Sequence, residues 1–157
     1  MAIFGSLPLS YFLFTVLHIG CFALAITVCG LYGEDLQRAD EAGVGANGRW
    51  VFAVVVGGLS ALTSAIYCAP IVLRNLGIVG FVWNVIIFAL WVAVFGLFGR
   101  MYINEDPEGD GGIERMRNAV WVDLANMLLW LIASLAMGAY WWRHRERRSR
   151  FTGRAKV

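Results

Sequence analysis

Any chemistry in this chain has to start from the few polar side chains that lie inside its long apolar runs: His18, Asn84, Asp123 and Asn126. A polar or ionisable group in hydrocarbon is costly, so each is a functional suspect, with a proton or ion path as the functional reading and an interhelical bond as the structural one. A helix rises 1.5 Å per residue, which puts His18 roughly 14 Å from the inner edge of an apolar core about 30 Å thick, and Asn84 at roughly 12 Å. Asn126 falls roughly 10 Å from the outer edge, and Asp123 only about one turn inside it. His18 and Asn84 thus share a level near the middle. Asp123 is level with Arg49 and Arg100, whose long side chains can bend toward it. Arg100 is the preferred partner, because its run and that of Asp123 are consecutive. Asn126 and Trp130 follow Asp123 at spacings of three and seven, on one helix face. Pumps and exchangers carry a carboxylate near the midplane, and none stands there in this sequence. The polar set therefore reads as an interhelical hydrogen bond plus an edge salt bridge, with an ion path as the alternative.

Other chemistries find less support. Cys21, Cys29 and Cys68 form no Cys-x-x-Cys pair, which argues against disulfide exchange, and buried cysteine is usually a small hydrophobe. Cys68, near the inner end of its run, is a weak candidate for acylation. Two histidines, His18 and His144, cannot build a His-rich metal site. Asp106, Glu108 and Asp110 take positions one, three and five of a calcium-type loop, with Gly111 at six and Glu114 at nine. Position twelve is Arg117, where a bidentate Glu is required, so the segment reads as a solvated acidic turn. A helix start capped by Asp110 or Gly111 follows it. No phosphate-cradling loop is present. No catalytic residue, cofactor, metal site or nucleic-acid partner is expected.

The elements that must position these residues follow from composition. Of 157 residues, 59% are hydrophobic and only 15% charged, against about 45–50% and about 25% in a soluble domain. Mean hydropathy is +0.65. A single soluble core of this size could not hide that much apolar surface, and disordered chains are polar. The reading is an all-α, polytopic bundle of four transmembrane helices joined by short loops. The spans are Leu9 to Leu31, Trp50 to Ala69, Leu76 to Phe98 and Ala119 to Trp142. Residues 1–142 form the membrane domain and 143–157 a basic tail. Pro8 and Pro70 suit helix starts and stops. Tyr32, Trp50, Phe98, Tyr102, Trp121 and Tyr140 to Trp142 fall at the span ends, as interfacial aromatics do. Ala23-Leu24-Ala25 looks like a signal-cleavage site, but Met1 to Ser10 has no Lys or Arg, so the first run is expected to stay as a span.

The net charge of +2 conceals an asymmetry: Arg143, Arg145, Arg147, Arg148, Arg150, Arg154 and Lys156 face a single anion, Glu146, in the tail. The two longer loops are acidic. Positive residues stay inside, so the tail and the other terminus are expected in the cytoplasm and the acidic loops outside or in a lumen. The tail would meet anionic lipid headgroups. Helices in lipid associate through small residues and polar contacts. Ala53, Gly57, Ala61, Ala65 and Ala69 supply a small residue every fourth position of the second span, a ridge for packing within the bundle or against another copy. The short link through Arg74 makes spans two and three antiparallel neighbours.

Four short spans, a tight second hairpin, the acidic Gly-rich loop, the segment Ala119-Val120-Trp121-Val122-Asp123-Leu124-Ala125-Asn126 and a basic tail together resemble fungal members of the MARVEL-domain group. The resemblance covers nearly the whole chain. It implies a non-catalytic role in membrane organisation, lateral domains or vesicle traffic, at the plasma membrane or in the secretory pathway. Partners would be lipids, other membrane proteins or a second copy, and the resemblance transfers no catalytic residue. A small transporter, channel or accessory subunit using His18, Asn84 and Asp123 is the alternative.

Overall fold

The computed structural model describes residues 9–106, 109 and 111–152, with side chains left undescribed at residue 10, at 70–76 and at 144–152. Pro8, Pro107, Glu108, Asp110, Arg154 and Lys156 lie outside the described residues, as do the side chains of Pro70, Arg74, Arg145, Glu146, Arg147, Arg148 and Arg150. Among the described residues the chain is all helical: α1 Leu9–Glu41, α2 Gly48–Tyr67, α3 Pro70–Tyr102 and α4 Gly111–Thr152. Each is long and apolar enough to cross a membrane.

The boundaries have local causes. α1 ends where Gly43 takes φ 65°, with Val44 N–H bonding Ala39 O and Gly43 N–H bonding Asp40 O. That pair of bonds is a Schellman ending, and the left-handed residue in it favours glycine. Asn47 starts α2, its Oδ1 accepting from Arg49 N–H at 3.1 Å. Pro70 opens α3, where a missing N–H costs nothing. Gly77 interrupts α3 with φ 47° and ψ −129°, beside Leu76, where the third apolar run begins. Its kink has the usual cause, a glycine in a conformation other residues resist.

Three helices outrun their apolar segments. α1 has 33 residues and α4 has 42, about 50 Å and 63 Å at 1.5 Å per residue, against about 30 Å for a bilayer core. α2, with 20 residues, matches that core.

The bundle forms from two close pairs, α1 with α2 and α3 with α4, joined mainly where α1 meets α4. α2 and α3 are neighbours, as the short link requires, but approach each other least closely. Large side chains cross that seam: Trp91 Nε1 donates to Ser60 Oγ at 2.8 Å and Trp83 Nε1 to Thr63 Oγ1 at 3.2 Å. The close pairs rest on glycine. A Cβ at Gly57 would sit 2.7 Å from Cys29 Sγ and 3.2 Å from Ala25 O of α1, and one at Gly138 would sit 2.9 Å from the Phe81 ring of α3.

The small-residue ridge of α2 holds for half its length. Ala53, Gly57 and Ala61 are buried, while Ala65 and Ala69 are exposed. Four residues turn a helix by about 400°, so a four-residue stripe drifts about 40° per step. By the C-terminal end of α2 the buried face has passed to Thr63, Ser64 and Tyr67.

Candidate functional site

The polar residues singled out from the sequence do converge in the interior. His18, Asn84, Asp123 and Asn126 are each 0% exposed. α4 presents Asp123, Asn126 and Trp130 on one inward face, with Ala119, Ala133 and Ser134 continuing it. α1 meets this face through His18 and Tyr32, and Cys21, Ala25 and Val28 are buried between them.

Toward the end with the acidic connections, Asp123 Oδ2 accepts a hydrogen bond from Tyr32 Oη at 2.6 Å. This replaces the expected salt bridge to Arg100 or Arg49. The buried positions of α3 run Ile87, Trp91, Val94 and Phe98. Arg100 is two residues, about 200°, past Phe98 and points to the exposed side. Arg49 is exposed as well and reaches Met101 Sδ at 3.3 Å. Tyr32 and Phe98, expected at the membrane interface, are core residues with ring centroids 4.4 Å apart. Trp121, Tyr140 and Trp142 do stand exposed.

One turn beyond Tyr32, Asp35 and Glu34 hold Arg115 of α4. Arg115 Nη1 lies 2.9 Å from Glu34 Oε1, and its Nη2 pairs with Asp35. Arg38 pairs with Glu34 from the next turn of α1, at 2.6 Å. Arg115 and Asp35 keep only 15% and 12% side-chain exposure. Sequence reading placed all of them in acidic loops, because the apolar runs end before them. The helices continue past the runs and zip together through these charges.

Toward the opposite end, His18 Nδ1 donates to Phe14 O of its own helix at 2.9 Å. Its ring packs among Phe14, Tyr67 of α2 and Trp130 of α4, with centroids 4.2, 5.1 and 5.6 Å away. The interhelical hydrogen bond expected at this level comes instead from Asn84, whose Nδ2 donates to Ala133 O at 3.4 Å. Trp130 and Ala133 are adjacent turns of α4, so His18 and Asn84 flank one stretch of it. Tyr11 Oη donates to Cys68 O at 3.0 Å and ties the start of α1 to the end of α2.

Several interior atoms remain without a hydrogen bond: His18 Nε2, Ser64 Oγ, Tyr67 Oη, Asn84 Oδ1, Asp123 Oδ1, Asn126 Oδ1 and Trp130 Nε1. Asn126 Nδ2 turns back to Val122 O at 3.3 Å. Among the described residues, no three His, Cys, Asp or Glu side chains group as metal ligands would. Comparison with protein-family models, with curated proteins and with solved structures gave no match to the chain.

Proposed function

We propose that this chain is a non-enzymatic, multi-pass membrane protein that organises lipids and proteins in the bilayer or in vesicle traffic, as the MARVEL-domain proteins it resembles do. One observation supports this most: its interior polar groups serve as joints between helices. Tyr32 with Asp123, Trp91 with Ser60, Trp83 with Thr63, Asn84 with Ala133 and Tyr11 with Cys68 each fasten one helix to another. Such joints give a stable bundle whose apolar exterior, with Val55, Leu62, Val79, Ile132 and Leu135 exposed, is free to meet lipid and neighbouring proteins. The basic tail adds attraction to anionic headgroups, at the plasma membrane or a secretory-pathway membrane.

The test is reconstitution of the labelled protein into giant vesicles with coexisting lipid phases and some anionic lipid. A membrane organiser should cluster, and should shift anionic lipid with it. Even spreading with no lipid redistribution would refute the reading. A second reading, a small transporter, channel or accessory subunit, draws on the unpaired atoms of His18, Asn84 and Asp123. Protein-dependent ion or solute flux in the same vesicles would select it.

A further inference from the structure

We propose that the interior of the bundle binds a file of water molecules, running from Asp123 past Asn126 to the cluster of His18, Trp130 and Tyr67. The hydrogen-bond inventory is the first ground. His18 Nδ1 points its hydrogen at Phe14 O, so in the neutral ring Nε2 is an acceptor. Asn84, Asp123 and Asn126 each present a further acceptor oxygen that makes no bond. Against these four acceptors stand three unused donors: the indole N–H of Trp130 and the hydroxyls of Ser64 and Tyr67. The protein cannot pair this set from within, and lipid offers no donor. Water supplies two hydrogens and takes about three bonds per buried molecule.

Placement is the second ground. Asp123, Asn126 and Trp130 line one face of α4 over about 10 Å, and the His18 ring stands edge-on to Trp130 with Tyr67 beside it. Ser64, one turn from Tyr67 on α2, and Ala133 and Ser134, one turn from Trp130 on α4, are small and buried. One turn above Tyr32, Asp35 Oδ2 and Arg115 Nε also lack a partner, and their side chains keep a little exposure. The proposal is independent of the membrane-organising role, since a wet interior is compatible with either reading of function.

Trp91 and Trp130 make the test internal. Both are 0% exposed, yet the Trp91 indole N–H is held by Ser60 Oγ while that of Trp130 makes no bond. NMR of the 15N-labelled full chain in nanodiscs reads both indole resonances, and Trp130→Phe assigns one of them. Trp130 should show cross-peaks to water and exchange with deuterium at least about ten-fold faster than Trp91, as water contact at an unprotected N–H requires. His18 ring protons should share the water cross-peaks. Equal protection of the two indoles, with no water contact at Trp130, would overturn the proposal. So would an Asn126 side-chain resonance that shifts with added sodium, because the column would then hold a cation.

Discussion

The buried carboxyl of Asp123 depends on one donor. Tyr32 Oη reaches it at 2.6 Å from the facing helix, and both residues are 0% exposed. Removing a donor strands a buried acceptor, which costs more than the net worth of the bond. Tyr32→Phe should therefore lower the unfolding free energy in mild detergent by about 1–3 kcal/mol. Combining it with Asp123→Leu should cost less than the two single changes together, because the stranded group is gone. Arg100→Gln should stay within about 0.5 kcal/mol of the parent, as surface changes do. A large loss there would restore the salt bridge that the sequence suggests. Asp123 was legible as a special residue because it is the one acid inside an apolar run. Its partner was not, since a tyrosine at a span end ordinarily anchors an interface. Tyr32 is inward because it continues the buried series His18, Cys21, Ala25 and Val28 of α1, at alternating spacings of three and four.

At the scale of the helix, the glycines of α2 separate contact from mere composition. Gly57 and Gly58 are adjacent and identical in type. A Cβ at Gly57 would meet Cys29 Sγ and the Ala25 carbonyl, whereas one at Gly58 would meet nothing within 4 Å. Gly57→Ala should destabilise the bundle by about 1–3 kcal/mol, because the α1 backbone has to yield. Gly58→Ala should be neutral, or stabilising by up to about 1 kcal/mol through helix propensity. Thermal unfolding followed by circular dichroism distinguishes the two. Ala65→Leu, on the exposed side, should match the parent, whereas Ala61→Leu should not fold normally. Gly77→Ala should also destabilise, because φ 47° is a conformation an L side chain resists. The four spans were readable because long apolar runs are unambiguous, and Ala53, Gly57 and Ala61 because small residues at spacing four share a face. Ala65 and Ala69 turn away through the 40° drift per step, and the polar zipper of Arg115 with Glu34 and Asp35 falls where hydropathy stops reporting.

Across the whole molecule the charges divide by end. Among the described residues, the end formed by the α1–α2 and α3–α4 connections and the helix ends flanking them holds Glu34, Asp35, Asp40, Glu41, Glu105, Asp106 and Glu114, with Asp123 just below. The other end, with the start of α3 and the last turns of α4, carries Arg74, Arg143, Arg145, Arg147, Arg148 and Arg150 and one acid, Glu146, among the described residues. Two of the five cations at the acidic end, Arg38 and Arg115, are tied up in ion pairs. Orientation follows the side richer in Lys and Arg near the span ends, so the acidic end should face outward and the tail the cytoplasm. An impermeant thiol reagent checks this on intact cells, using single cysteines in a background where Cys21, Cys29 and Cys68 are replaced by alanine. Gly45→Cys sits in the exposed α1–α2 connection with nothing within 4 Å of its Cβ, and it should label at once. Thr152→Cys, at the far end of α4, should label only after the membrane is permeabilised. The reverse pattern would invert the molecule and place the acidic zipper of α1 and α4 in the cytoplasm. Labelling of both sites in intact cells would mean an even number of crossings between residues 45 and 152, so that at least one of α2, α3 and α4 does not span the bilayer. Three crossings lie between those positions, so opposite sidedness is the arrangement that α2, α3 and α4 require if each spans the bilayer.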